Sequence, residues 1–394
     1  MAYETMTTAA EALKTYYLDA IKYQLNVKPC AILAQFERNS KDVSGTKVKM
    51  PLKYGVSGGV ASRTEDGDLP TPYARQYKQA EWETKNLYAR LQLTDKLMKA
   101  SRNRKGSFVN QLDAQLEDLL ADAKLQLSRQ VVGDGTGKLA EVAADATSSA
   151  NVTVDNVQYL MEGMIIDFVA KADGTPVSGA TGLVIEAIDR TTKVITISSA
   201  VTVAAATDMI VTSGAYGLEL TGLKKVFDHT NFGTIYGIDR ANTYKWFRAN
   251  TIAINGELDE LKMQEGLDEV EIATGEPVNF LVASYGVRRA YYYLMSSLKR
   301  MVNTIEIKGG FKAPEFNGLP LVADRFMPEG TMYGLNTNDW NLYEIGDWDW
   351  LDEDGGILTR VAGKPIWEAT LVKYCDIGCS RLRGQVQWTG IVEH

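Results

Sequence analysis

The sequence predicts an α+β chain organised around one long helix. An extended two-stranded loop precedes that helix and a small all-β unit is inserted behind it. Three observations carry the prediction. Phe108, Leu112, Leu116, Leu119, Ala123, Leu127 and Val131 recur three or four residues apart, the spacing of one face of an α-helix. Two alternating polar–apolar runs, 46–53 and 77–84, flank a stretch rich in glycine and proline. Across 151–214, short β-branched runs alternate with turn dipeptides.

The helix comes first because the other units hang from it. Asp113, Glu117, Asp118, Asp122, Lys124 and Arg129 fill much of its remaining circumference. Ser107 can cap its start, and Gly133 follows the periodic run as a stop signal. At 1.5 Å per residue it would run roughly 36 Å, the span of a whole small domain.

Ahead of it, Leu13, Tyr17, Ala20, Ile21 and Leu25 have helical spacing and predict a short amphipathic helix in an N-terminal arm, which Pro29 ends. The runs 46–53 and 77–84 read as half-exposed strands, with 88–93 continuing the second arm. Between them, 55–73 holds Gly58, Gly59, Gly67, Pro70 and Pro72 and few large apolar residues. An extended loop with a mobile tip is expected, because a lone two-stranded ribbon is marginal in water without a partner. A hairpin packed on its own domain is the alternative that pattern alone leaves open.

After the helix, Gly133 and Gly137 are separated by three residues, and Lys138 is followed by Leu139. A phosphate-binding loop needs four residues between its glycines and a hydroxyl residue after the lysine, so this segment is a turn. In 151–214 the runs 163–169, 183–188, 194–198 and 209–212 are joined by turns at Asp173-Gly174, Ser178-Gly179 and Asp189-Arg190. With Phe168 as its one aromatic between 167 and 209, this unit reads as structural rather than ligand-binding.

From Leu218 onward strands and helices alternate. Strands are expected at 234–238, 279–283, 319–323, 332–335, 357–361, 366–374 and 385–391, and a short acidic helix at 258–267. Val287, Tyr291, Leu294, Leu298 and Met301 form a second helical stripe, with Arg288, Arg289, Lys299 and Arg300 off it. That order defines an α+β domain.

Composition bounds the function. A chain of 394 residues exceeds what one core usually organises, so roughly two or three domains are expected. No apolar run approaches a membrane span, and 1–8 lacks the features of a signal peptide. Cys30, Cys375 and Cys379, an odd number without framework spacing, suit a reducing cytoplasm. A net charge of −8 with no basic block excludes a sequence-specific nucleic-acid reader.

Catalytic, cofactor-binding and metal-binding residues are expected to be absent. His229 lies beside Asp228 without a nucleophile-elbow pattern, and His394 is the last residue. Cys375 and Cys379 lack paired zinc-site spacing and read as small apolar residues in packed strands. The densest local feature is acidic. Glu344, Asp347, Asp349, Asp352, Glu353 and Asp354 contribute −6 of the −8. Their spacing does not fit a calcium loop. Trp348 and Trp350 alternate with them as on a half-buried strand. A solvated face, a pairing with a neighbouring subunit's bases, and a loose metal site are the readings, in that order.

The order of these pieces resembles one family. The arm and loop (1–93), the helix ending in Val-Gly-Asp-Gly-Thr-Gly at 132–137, Leu-Thr-Gly-Leu at 220–223 before 236–240, the segment 316–324 and the closing 380–384 together resemble a tailed-bacteriophage major capsid protein of the Hong-Kong-ninety-seven fold. The resemblance lies in order, not in a strict motif. It implies an N-terminal arm at 1–44, an E-loop hairpin at 45–94, a peripheral domain with the spine helix at 95–150, an inserted β-domain at 151–214, and further peripheral strands with an axial α+β domain at 215–394. It implies a homo-oligomer of pentamers and hexamers in an icosahedral shell around double-stranded DNA, in a virion, with no membrane and no cofactor. Helical arm sequence begins within ten residues of Met1, so any scaffold is expected to be separate or absent. The resemblance also allows for portal and decoration proteins. Some relatives cross-link lysine to asparagine; Lys47, Lys49, Lys53 and Lys78 lie in the loop, with no partner identified. Two rivals stand beside it: an encapsulin-type protein nanocompartment, and a carbohydrate- or receptor-binding module acting through 151–214.

Overall fold

The computed structural model describes residues 31–56, 58–96, 107–297, 304–307, 311–351 and 358–394. The expected arm helix at 9–25, Cys30, and the acids Asp352, Glu353 and Asp354 lie outside the described residues.

The spine is an α-helix, Ser107–Val132, of 26 residues. Leu116, Leu120, Ala123, Leu127 and Val131 are buried along it, with Leu119 half-buried beside them. Its last turn closes where the Gly133 N–H donates to the Arg129 and Gln130 carbonyls. Gly222, just before the single turn Leu223–Phe227, presses onto this end. A Cβ there would lie 2.2 Å from the Gly133 oxygen and 2.5 Å from the Gln130 oxygen, so only glycine fits.

Two sheets share the main core with the spine. The first is built on one long strand, Ile366–Cys379, which takes Trp340–Glu344, Asp349–Trp350, Thr359–Arg360 and Lys85–Thr94 as partners; Glu37–Asn39 adds at the far edge, parallel to Trp340–Glu344. The pairing with Lys85–Thr94 runs antiparallel from Ile366↔Thr94 to Cys375↔Lys85. This corrects the expectation that 88–93 continues the hairpin. Gln76–Glu83 pairs with Lys47–Tyr54, and beyond Thr84 the chain changes partner. Alternation looks the same for either partner, so the switch is invisible locally.

The second sheet has seven strands in the order Asn250–Gly256, Val386–Ile391, Met332–Leu335, Phe280–Ala283, Leu319–Ala323, Phe311–Phe316, Thr304–Ile307. Helices Glu260–Thr274 and Tyr285–Ser297 connect strands that run in the same direction and step the same way across the sheet. Right-handed crossovers then place both helices on one face. Burial agrees. Leu281, Ala283, Leu321, Met332 and Trp388 pack with Met263, Leu267, Val287 and Tyr291 of the helices. Phe280, Val282, Val322, Tyr333 and Leu335, one residue out of phase, face the main core.

The β-unit has six strands in the order Lys138–Glu141, Asp208–Thr212, Ile165–Ala170, Leu183–Asp189, Val194–Val203, Ala146–Thr153. A bridge between Val142 and Val154 joins its two ends, closing the sheet on itself around a separate core of Leu139, Leu160, Ile166, Phe168 and Ile195. Its strands therefore begin at Lys138, ahead of the expected boundary at 151.

One expected strand is a turn. At 234–238 the chain makes a tight hairpin, Thr234–Ile235 against Ile238–Asp239, with Tyr236 and Gly237 both at positive φ. Two successive left-handed residues make the mirror-image turn that hairpins favour. The acidic helix is longer than expected, Glu260–Thr274, capped by the Asp259 side chain and ended by Gly275 in the left-handed region.

Candidate assembly surfaces

The hairpin divides into a root and a tip with opposite properties. In the root, Lys47–Tyr54 and Gln76–Glu83 pair from Lys47↔Glu83 to Tyr54↔Gln76. Val48, Met50, Leu52 and Ala80 are buried on one face, while Lys47, Lys49 and Lys53 face water. Trp82 packs against Tyr236 at 4.4 Å and edge-on to Tyr343 at 5.4 Å, and Tyr54 stacks on Trp246 at 4.7 Å. The Glu81 N–H donates to the Tyr236 carbonyl at 3.0 Å. Gly378 clears the space beneath: a Cβ there would lie 2.5 Å from the Tyr343 ring and 2.6 Å from Trp82. The root thus belongs to its own chain, as the alternative reading of the hairpin had it.

The tip does not. Beyond Tyr54 the pairing stops, and Val56, Val60 and Leu69 are 83, 84 and 88% exposed. Its hydrogen bonds are local, such as the Gly67 N–H to the Thr64 carbonyl and Arg63 Nε to the Asp68 carbonyl. Among the described residues nothing covers these three aliphatic side chains at the end of an extended loop.

The acidic run is corrected in part. Glu344 and Asp347 do face bases, but the bases are this chain's own. Lys373 Nζ, buried on the long strand, lies 2.6 Å from Glu344 and 3.3 Å from Asp347. Arg38 approaches Asp347 at 3.5 Å and Glu344 at 3.8 Å. Burial pushes the Asp347 carboxyl up, but Lys373, the Trp348 N–H and Arg38 outweigh it and hold the group below its usual range. Trp348 and Trp350 are buried, as the alternation predicted, and Lys373 Nζ sits 5.6 Å from the Trp348 ring centre. Asp349 is exposed. Lys373 was missed in the sequence. The signal available was a lone base next to the apolar pair Leu371-Val372 in the strand run 366–374.

The remaining candidates have structural explanations. Lys138, at the end of the glycine turn, bonds Glu141 at 2.6 Å, and Lys171 reaches the same carboxylate at 2.9 Å. Those hydrogen bonds lower Glu141 to about 2. The turn itself is closed by the Asp134 side chain, which accepts from the Thr136 N–H at 3.0 Å. Among the described residues His229 Nδ1 meets no hydrogen-bond partner, and the Asp228 carboxylate accepts from Thr230, Asn231 and the Asn231 amide. Cys375 and Cys379 are buried on the long strand, and burial pushes the Cys375 thiol up to about 12. A thiol so poor in thiolate is a packing group.

No protein-family model matches the sequence, and no curated protein matches it. Solved structures do. The capsid asymmetric unit of cyanophage A-1(L) is 11% identical and superposes with a TM-score of 0.56, covering 91% of this chain and 92% of that one. The SrpI encapsulin of Synechococcus elongatus is looser, with a TM-score of 0.49, 9% identity and coverage of 93% and 90%. The capsid of a native GTA particle is similar at 0.48, 10% identity and coverage of 93% and 91%. With the hairpin, spine helix and two sheets in the places described, the chain has the tailed-phage capsid fold. That is the Hong-Kong-ninety-seven type expected from the sequence.

Proposed function

We propose that this chain is a major capsid protein whose copies tile an icosahedral shell, as pentamers and hexamers, around double-stranded DNA. It would be made in the cytoplasm of a bacterial host and end in the virion capsid. In this reading the residues near 95–150 form the peripheral domain, the seven-stranded sheet forms the axial domain, and the closed β-unit is an addition on the outside. Separate scaffolding, portal or decoration proteins are further partners. The acidic charge suits DNA that is confined and not read. Among the described residues no helix is long and apolar enough to cross a membrane.

The observation that supports it best is the contrast between root and tip. Fixing backbone costs about 1–2 kcal/mol per residue, and Val56, Val60 and Leu69 bury too little area in one subunit to offset it. Seated across a neighbour, they would be covered and the strand edges would gain partners. Hydrogen exchange tests this directly: residues 55–73 should be unprotected in the free subunit and protected after assembly. Deleting 56–72 and closing the hairpin with Asn-Gly should leave a folded subunit that forms no stable shells. Equal protection in both states would refute it. Nucleic acid in purified particles distinguishes a capsid from a compartment loaded with protein.

A further inference from the structure

The two helices on the axial sheet carry outward stripes of identical spacing and opposite character. On Glu260–Thr274, the face opposite buried Met263, Leu267 and Val270 presents Leu261, Glu265, Asp268 and Ile272. On Tyr285–Ser297, the face opposite buried Val287, Ala290 and Tyr291 presents Tyr285, Arg289, Tyr292 and Ser296, with Arg288 alongside. Both sets fall at i, i+4, i+7 and i+11, within about 60° of arc on a helix. Leu261 and Ile272 are 78% and 85% exposed, so each end of the first stripe is an uncovered aliphatic. The first helix has five acids and one lysine; the second has two arginines and no acid.

Their placement keeps them apart within one subunit. The first helix lies over one edge of the sheet: Trp388 Nε1 donates to the Lys262 carbonyl, and Gly266 sits against the Trp388 ring. The second lies over the other half, where Tyr291 Oη donates to the Glu315 carbonyl and Tyr291 packs on Phe316. The guanidinium groups are positioned by their own chain. Arg288 lies 5.0 Å from the Tyr285 ring centre, and Arg289 Nε donates to the His394 carbonyl. His394 in turn stacks on Tyr293 at 4.5 Å and bonds Glu257 at 2.7 Å. On the acidic stripe, Lys262 bonds Glu265 and Gln264 donates to Asp268, each at 2.6 Å. Those contacts are exposed and leave both carboxylates reachable.

We infer that the stripe Leu261–Glu265–Asp268–Ile272 of one copy seats against the Tyr285–Arg288–Arg289–Tyr292 stripe of a second copy. The aliphatic ends cover the tyrosine rings and the carboxylates meet the arginines. Because the stripes lie over opposite halves of the sheet, each copy can engage two neighbours, and a repeated contact between unlike surfaces builds a ring wherever its rotation closes. This rests on the shell reading and names the surface that builds its rings.

Charge reversal on the full chain tests it. Glu265→Arg with Asp268→Arg, or Arg288→Glu with Arg289→Glu, should each raise the concentration needed for assembly about tenfold or more, measured by light scattering and sedimentation. Combining all four reversals should bring it back towards the unmodified value. Leu261→Ser with Ile272→Ser, both far into solvent, should weaken assembly with no change in the thermal melt of the free subunit. If the unmodified chain forms shells and the reversals assemble equally well, the stripe contact is overturned and the shell reading stands. Swap-sensitive rings without closed shells would overturn the shell reading and keep the contact. A chain that stays monomeric at every concentration overturns both.

Discussion

Replacing Lys373 by methionine isolates a buried lysine at the centre of a charge cluster. The lysine side chain is 1% exposed and Glu344 is 9% exposed, with 2.6 Å between them. Methionine fills a similar volume and leaves the Glu344 carboxylate in a dry site. Removing one partner of such a pair costs about 3–5 kcal/mol, far more than an exposed bridge. Arg38 remains 3.8 Å from Glu344 and is itself 43% exposed, so it offsets part of the loss and sets the expectation near about 3 kcal/mol. For a chain of this length that is a fall in Tm of about 4 °C, read by circular dichroism on the unassembled subunit. Adding Glu344→Leu should recover most of the loss, because the orphaned charge is then gone. The pH dependence has a definite sign. Asp347 is held low in the folded state, so its contribution is present above the unfolded carboxylate pKa and is lost as pH falls through the lower folded value. Without Lys373 that acid-side loss should shrink. A Lys373→Met subunit melting within about 1 °C of the unmodified one would refute the argument.

Two further outcomes follow from the same structure. Burial raises the Asp376 carboxyl from 3.8 to about 6; Oδ1 accepts from the Thr221 and Ile377 N–H groups, and Oδ2 meets no partner among the described residues. The charged form is therefore penalised in the fold, stability declines as pH rises between the two values, and the deficit of about 3 kcal/mol persists at neutral pH. Asp376→Asn should flatten the Tm–pH profile over that window; an unchanged slope would count against it. A fragment covering 138–214 should fold alone with a β-type spectrum and a cooperative melt, whereas 151–214 should not. The shorter piece lacks Lys138–Glu141 and most of Ala146–Thr153, the partners of Asp208–Thr212 and Val194–Val203. Equal melts from the two fragments would overturn that boundary.

What was legible in the sequence was whatever a local period encodes. The spine, expected over 108–131, occupies Ser107–Val132, and Gly133 stops it as expected. Val287, Tyr291 and Leu294 of the second stripe lie on Tyr285–Ser297, while Leu298 and Met301 are outside the described residues; the strands at 319–323 and 332–335 match residue for residue. What escaped was long-range choice of partner. Lys85–Thr94 alternates equally well beside the hairpin or beside Ile366–Cys379, and only the fold decides. In Ala146–Thr153 only the end near Val152 carried a strand signal, the rest being mostly alanine, serine and threonine, yet closure of the barrel recruits all of it. Arg240 was not singled out for its side chain. It is fully buried, donating to the carbonyls of Phe232, Val226, Lys225 and Asp228. No sequence pattern marks a side chain whose partners are backbone oxygens.

The same accounting of edges says where copies can meet. The β-unit has no free ends, because Val142 and Val154 join them, so it offers neighbours side-chain surface but little unpaired backbone. At one edge of the axial sheet, Asn250–Gly256 is irregular: its register shifts between Ala253 and Gly256, and Asn255 adopts a positive φ. That twist blunts the edge against strand addition. Backbone pairing between copies is therefore discouraged at both places, and contacts there must be made by side chains. Among the described residues the most exposed aliphatic side chains are Val56, Val60 and Leu69 on the tip and Leu261 and Ile272 on the axial stripe. A tip that crosses a neighbour and a stripe that meets the next copy would use separate elements of the subunit. Loss of one should leave the other's contact intact, so tip-deleted protein should still form salt-sensitive rings where it cannot form shells.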